Sequence, residues 1–200
     1  MTRRHLVLFV RAPQLGSGKR RLAREIGDAA TVRFERLMIA LLLRRLAADR
    51  RWRLRIAVTP DKARHHARHW RRGIEAAGQG GGDLGVRMRR ALAACPPGPV
   101  VLVGGDIPAL GARHVAAAFG LLGRHDLVFG PAEDGGFWLV GARHPRQLPP
   151  LFEQVRWSGP YALADTLAGL PQRIRVGLAE RLADVDDGEA YRRLAPHRGF

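Results

Sequence analysis

PVVLVGGDIPAL, residues 99–110, decides the fold, because a short apolar run ends there in two glycines, an aspartate and a proline. Val100 to Val103 are aliphatic without alternation, the pattern of a strand covered on both faces inside a parallel sheet. Asp106 then falls just past the carboxyl end of that strand. Ligands of open α/β sheets bind outside those ends, and glycines let a ligand approach the backbone, so a carboxylate placed there is positioned for a metal or a substrate. An aspartate opening a turn before Pro108 has the same local sequence.

Toward the amino terminus, His5 to Val10 reads as a first buried strand, closed by RAPQLGSGKRRLAREIG at 11–27. This joins a strand to a helix through a loop holding Gly16, Gly18 and Lys19, an arrangement in which backbone amides can cradle phosphate. It is not a Walker A loop. That motif needs glycine where Pro13 stands and a hydroxyl where Arg20 stands, so any metal must be held elsewhere. A compact lysine ammonium in this loop reaches a phosphate as a point charge, and a plain βα turn with a solvated lysine is the alternative. Thr31 to Arg50 carries apolar residues at helical spacing, Leu54 to Val58 reads as a second strand, and Asp61 to Ala77 as a polar helix. His65 and His69, one turn apart without an acidic partner nearby, read as a solvated face. QGGGDLGVRMRRALAAC, 79–95, again sets glycines before a helix, with Asp83 as its cap and Arg87 in its first turns. Such a loop suits a base or ribose, or a flexible linker.

Toward the carboxyl terminus, Ala112 to Leu122 reads as a helix and Leu127 to Phe129 as a strand that runs into GPAEDGGFWLVGAR. Glu133 and Asp134 there precede two glycines and a further strand, Phe137 to Val140, the second arm of a hairpin. Phe152 to Trp157 leads into a turn at Ser158 and a helix from about Tyr161 to Leu170. Arg173 to Val176 reads as a last strand, and RLADVDDGEAYRRL supplies Asp184, Asp186 and Asp187 before a terminal helix, where acidic residues are ordinary capping.

Composition sets the bounds. Two hundred residues with 46% hydrophobic content bury one sizeable core, so one domain over 1–200 is expected. Five apolar residues before Arg11 are too few for a secretory signal or a membrane span, and Cys95 is the single cysteine. A cytoplasmic protein without membrane insertion is the expectation. The net charge of +16 favours an anionic ligand, and of 34 lysines and arginines only Lys19 and Lys62 are lysine. The arginines are spread along the chain. Neither aromatic interleaving of basic patches nor helix-turn-helix or zinc spacing is present, which argues against a specific nucleic-acid binder or a basic scaffold protein.

The order of RAPQLGSGKRRLA, QGGGDLGVRM, VGGDIPAL, GPAEDGGFWLVG, LFEQVRWS and DVDD resembles a bacterial family labelled as glycosyltransferases but of uncharacterised function. That family belongs to the nucleotide-diphospho-sugar transferase superfamily with the GT-A fold. More distantly the chain is similar to phospholactate guanylyltransferases and molybdenum-cofactor nucleotidyltransferases. The resemblance implies a three-layer α/β/α, Rossmann-like, mixed and mostly parallel sheet. It implies nucleotide binding by Arg11, Gly16, Gly18, Lys19 and Arg20 of the first loop and by Gln79, Gly80, Gly82 and Asp83 of the second. Asp106 becomes the metal aspartate, acting with Lys19 in catalysis, and Asp186 the second metal ligand. Asp134, Gly135 and Gly136, with Trp157 and Ser158, fall to the acceptor. The family usually has lysine where Arg11 stands and threonine where Arg20 stands. Its terminal DVDT-P-E-D pattern is altered here at Asp187, Gly188 and Ala190.

This layout implies Mg2+, with Mn2+ as the other candidate ion, a nucleotide or nucleotide sugar, and a small-molecule acceptor; a homodimer is compatible with it. Nucleotidyl transfer from a nucleoside triphosphate to a phosphorylated or sugar-like acceptor is favoured, because a cationic glycine loop suits a third phosphate. Glycosyl transfer from a nucleotide sugar uses the same site.

Overall fold

The computed structural model describes residues 3–194. Seven strands form one sheet: β1 (Arg4–Arg11), β2 (Trp52–Thr59), β3 (Glu75–Gly78), β4 (Val100–Gly104), β5 (Leu127–Pro131), β6 (Phe137–Ala142) and β7 (Val176–Leu178). Their spatial order is β3-β2-β1-β4-β6-β5-β7. β6 runs antiparallel to β4 and β5, while the remaining pairings are parallel. The fold is therefore the expected mixed, mostly parallel α/β sheet.

Alternation along β1 sorts the molecule into layers. Leu6, Leu8 and Val10 face one core, shared with Phe34, Met38, Leu42 and Leu46 of α2 (Asp28–Ala47) and Val115 and Phe119 of α5 (Ala112–Leu121). Val7 and its neighbour Phe9 face a second core, with Met88 and Leu92 of α4 (Leu84–Ala93) and Leu163 and Leu167 of α6 (Ala162–Ala168). Both faces of the sheet are covered, which is why its central strands read as continuous apolar runs. α1 (Arg20–Ile26) and α2 are separated at Gly27, whose φ of 82° a side chain would strain.

Two expectations give way. Asp61 to Ala77 is not one helix: a 3-10 turn at Asp61–Ala63 and the four-residue α3 (Arg64–Ala67) are followed by β3, which pairs with β2. The last strand begins at Val176 rather than Arg173, and α7 (Gly188–Leu194) follows the aspartate run. Parallel pairing brings the carboxyl ends of β1, β2, β3 and β4 to one edge, together with the turn between β5 and β6.

Candidate active site

Asp106 lies two residues beyond β4, in a loop gripped from beneath by Arg45 of α2, whose Nη1 donates to the carbonyls of Pro108 (2.6 Å) and Leu110 (3.1 Å). The segment after β7 returns to this loop. Leu182 N–H donates to the Pro131 carbonyl and Val185 N–H to that of Asp106 (each 3.1 Å), so the chain passes the loop in extended form. Side chains alternate in such a segment. Val185 is buried, and its neighbours Asp184 and Asp186 turn the other way, toward Asp106. Carboxylate oxygens of Asp106, Asp184 and Asp186 lie within 4.8 Å of one another. The sequence points to Asp106 and Asp186, whereas Asp184 reads there as a capping residue. The i, i+2 spacing around a buried valine was the signal that separates it from Asp187, whose carboxylate caps α7 by accepting from Ala190 N–H at 2.8 Å.

Lys19, at the amino end of α1, reaches into this cluster. Its Nζ donates to Asp106 Oδ2 at 2.8 Å and also to Asp186 Oδ1. The lysine side chain is only 14% exposed, against 35% and 49% for the two aspartates, so the cation is the interior member of the group. Burial works against its charge, but Asp106 and Asp186 outweigh that and hold the ammonium above its ordinary range. Burial, and then the negative charges of Asp186, Asp134 and Asp106, push the Asp184 carboxyl up to about 6.

Glu35 of α2 lies against the loop, its carboxylate beside Gly18. Its Oε2 is buried without a partner, and burial pushes the carboxyl up against the opposing pull of Lys19 and Arg11. A Cβ at Gly18, where φ is 134°, would stand 2.6 Å from Glu35 Oε1, so the loop passes this carboxylate only as glycine.

A cavity of about 550 Å³ opens over these groups. Arg11, Gly18, Lys19, Arg20, Asp106, Asp134, Ser158 and Asp186 line it, joined by Glu35 and Arg21, which had not been singled out. The second loop is arranged differently. Gln79 is buried; its Nε2 donates to the carbonyls of Val10 (2.9 Å) and Ala57 (3.0 Å), and its Oε1 accepts from Arg87 Nη1 at 3.0 Å. Its amide is committed to the protein and orients Arg87, which is what it can offer a ligand. Gly80 N–H donates to Asp61 Oδ1 (2.9 Å), and Arg90 binds the carbonyls of Gln79 and Gly81, so this glycine loop is held from both sides. Gly82 has a φ of 101°, and Asp83 caps α4 by accepting from Val86 N–H at 2.8 Å. Gly16 lies at the exposed turn of the first loop with a φ of 70°. Gly16, Gln79, Gly80, Gly82 and Asp83 stand outside the cavity lining, as do Gly135, Gly136 and Trp157.

The hairpin turn has its own logic. Asp134 Oδ1 accepts from Gly136 N–H (2.8 Å), closing the turn, and the Gly135 carbonyl accepts from Leu163 N–H (3.1 Å). Trp157 packs with Phe137 and Phe152, at ring separations of 6.3 and 5.8 Å, leaving Ser158 at the cavity wall.

The acidic cluster fits a hard divalent cation. Three carboxylates offer oxygen ligands, no cysteine or histidine belongs to the set, and the crowding that raises Asp184 is the repulsion such an ion would relieve.

Several solved structures share this architecture. A protein from Desulfovibrio desulfuricans G20, provisionally described as a nucleotide-diphospho-sugar transferase, is 29% identical, with 94% of this chain and 84% of that one covered and a TM-score of 0.85. The 4-diphosphocytidyl-2C-methyl-D-erythritol synthase of Anaerococcus prevotii DSM 20548 is 10% identical, with 96% of each chain covered and a TM-score of 0.61. Glucosyl-3-phosphoglycerate synthase from Mycobacterium tuberculosis, solved with Mn2+, UDP and glucosyl-3-phosphoglycerate, is 14% identical over 91% of this chain and 70% of its own, with a TM-score of 0.54. The latter two show the fold alone. No curated protein matches the chain in sequence. Residues 42–159, more than half of the chain, match one family profile, and the protein belongs to that family, described as "Uncharacterized protein conserved in bacteria (DUF2064)".

Proposed function

We propose that this protein is a divalent-metal-dependent, nucleotide-utilising transferase. The observation that carries the reading is the meeting of a three-carboxylate cluster with the lysine of a glycine loop at the carboxyl edge of the sheet. Nucleotidyl transfer from a nucleoside triphosphate to a small phosphorylated or sugar-like acceptor fits best, because Arg11, Arg20 and Arg21 line the cavity beside Lys19 and, with a divalent ion set against Asp106 and Asp186, supply cations for a third phosphate.

In that reaction an acceptor oxygen attacks the α-phosphorus, the bond to the bridging oxygen breaks, and pyrophosphate leaves; a phosphate oxygen attacks as the anion, and a hydroxyl gives up its proton to solvent. Asp106 and Asp186, with Asp184, would hold Mg2+ or Mn2+, which supplies charge neutralisation on the phosphates. Lys19 and the flanking arginines bind and orient the departing phosphates, work that consists of positioning and electrostatic stabilisation. Arg87, held by Gln79 at the second glycine loop, is the residue this reading assigns to the nucleoside. The wall formed by Asp134 and Ser158 receives the acceptor. The glucosyl-3-phosphoglycerate synthase of this fold, solved with UDP, and the 4-diphosphocytidyl-2C-methyl-D-erythritol synthase, by its name, support a nucleotide as the ligand.

Glycosyl transfer from a nucleotide sugar is the second reading, favoured by the description of the 29%-identical Desulfovibrio protein. A thermal-shift panel separates the two, since a ligand that binds the native state raises its apparent stability. With Mn2+ or Mg2+ present, a nucleoside triphosphate should give the larger shift. A larger shift with a nucleotide sugar would favour glycosyl transfer, and no shift with either class would refute both.

A further inference from the structure

The two acids that would bind a metal are already engaged. Asp106 Oδ2 and Asp186 Oδ1 both accept from Lys19 Nζ, and the third carboxylate, Asp184, has an oxygen within 4.8 Å of theirs. Resting on the transferase reading above, we propose that Lys19 is the resident counter-cation of this cluster and yields Asp106 and Asp186 to a divalent ion only when a phosphate group arrives to take over its ammonium.

The argument is one of exclusion. A divalent ion drawing on these oxygens would face an ammonium at hydrogen-bond distance from the same atoms, and like charges at that range repel strongly where water is scarce. A Lys19 that swung away with no acceptor to receive it would leave an ammonium that is now only 14% exposed without its two carboxylate partners, which is costly. A phosphate oxygen removes the conflict by accepting from Lys19 while neutralising the remaining charge. The movement needs no rearrangement of the loop. Its backbone is fixed by the Ser17 N–H bond to the Gln14 carbonyl (3.2 Å) and by the Ala23 N–H bond to the Lys19 carbonyl (2.9 Å), whereas the lysine stem has four rotatable bonds of its own. Arg11 and Arg20 line the same cavity and draw the incoming phosphates to within reach. Metal and phosphate therefore promote each other's binding, by equal factors.

The test follows binding, not turnover, and uses inorganic pyrophosphate so that no nucleobase must be known. Free Mn2+ is read by electron paramagnetic resonance in titrations of the wild type, Lys19→Met and Lys19→Arg, with and without pyrophosphate, each taken against a protein-free titration that accounts for the Mn2+–pyrophosphate complex. The wild type should bind Mn2+ weakly alone and about tenfold or more tightly with pyrophosphate, and its pyrophosphate affinity should rise by the same factor when Mn2+ is added. Lys19→Met should bind Mn2+ alone about tenfold more tightly than the wild type and lose most of the pyrophosphate enhancement. Lys19→Arg, which keeps the charge, should stay weak for Mn2+ alone. Equal or weaker Mn2+ binding by Lys19→Met overturns the proposal. If that variant does not fold, absence of the reciprocal coupling in the wild type overturns it instead. Coupling that fails while Mn2+ still binds defeats this inference alone, whereas no Mn2+ binding under any condition defeats the metal-dependent reading as well.

Discussion

A lysine ammonium largely withdrawn from water keeps its charge only beside acceptors, and Lys19 has Asp106 and Asp186 for that purpose. The pairing makes the residue expendable for the fold but not for a polyanionic ligand. Lys19→Ala should weaken metal-dependent triphosphate binding about tenfold, or ~1.4 kcal/mol, with an unchanged circular dichroism spectrum. Unchanged affinity by calorimetry would take the loop out of the site. Asp106→Asn should abolish that binding, and a variant that titrates like the wild type would return Asp106 to a turn residue. Asp184 gives a prediction with a sign. Its carboxyl is raised from 3.8 to about 6, so the contribution it makes to apo stability is fully present below about pH 4 and is lost as pH rises through about 6. At pH 7 Asp184→Asn removes a crowded negative charge and should raise the apo melting temperature by about 2–4 °C, as expected for ~1 kcal/mol in a chain of this size. Mn2+ affinity should fall in the same variant, and a melting temperature that falls would remove the like-charge account. Asp106, Lys19 and Asp186 were legible in the sequence because motifs flank them. Asp184 was not, because an acidic residue before a helix has a capping explanation that only the contact of Val185 N–H with the Asp106 carbonyl displaces.

At the scale of elements, what could be read depended on whether local pattern and tertiary pairing agreed. β4 announced itself because both its faces are buried, and the β5–β6 hairpin because a glycine turn separates two apolar runs. β3 did not, since Glu-Ala-Ala-Gly has no β-branched residue and becomes a strand only by pairing with β2 at the sheet edge. The same reasoning explains why a helix expected over 61–77 survives only as Arg64–Ala67. In the hairpin turn, sequence and structure agree on glycine for different reasons. Gly135 has a φ of 84°, and a Cβ there would collide with the Pro160 carbonyl oxygen, which fixes how closely the turn approaches the strand-to-helix segment bearing Ser158. Gly135→Ala should destabilise the protein by about 1–3 kcal/mol, combining an unfavourable backbone region with displacement of that segment. Denaturant unfolding measures it, and a loss under about 0.5 kcal/mol would show that the turn relaxes freely.

The whole molecule carries a net charge of +16, enough to attract any polyanion. Where the arginines stand decides what that charge is for. Arg51, Arg55, Arg156, Arg175 and Arg192 are paired with acids on the surface, while Arg11, Arg20 and Arg21 converge with Lys19 on one cavity. No helix among the described residues is long and apolar enough to cross a membrane. The cavity reading and a nucleic-acid reading therefore make opposite predictions about salt and metal. A surface attraction to duplex or single-stranded DNA depends on released counterions, so it should be weak, indifferent to sequence, and largely lost between about 50 mM and about 200 mM salt. Binding of a nucleoside triphosphate should instead require Mn2+ or Mg2+ and survive the same increase with a smaller loss, because its cationic partners are few in number and Lys19 among them is largely withdrawn from solvent. Fluorescence anisotropy of labelled DNA, run beside calorimetry of a triphosphate with metal across that range, makes the comparison. DNA binding that is nanomolar and sequence-selective at physiological salt, with triphosphate binding that ignores metal, would transfer the positive charge from a catalytic cavity to a nucleic-acid surface.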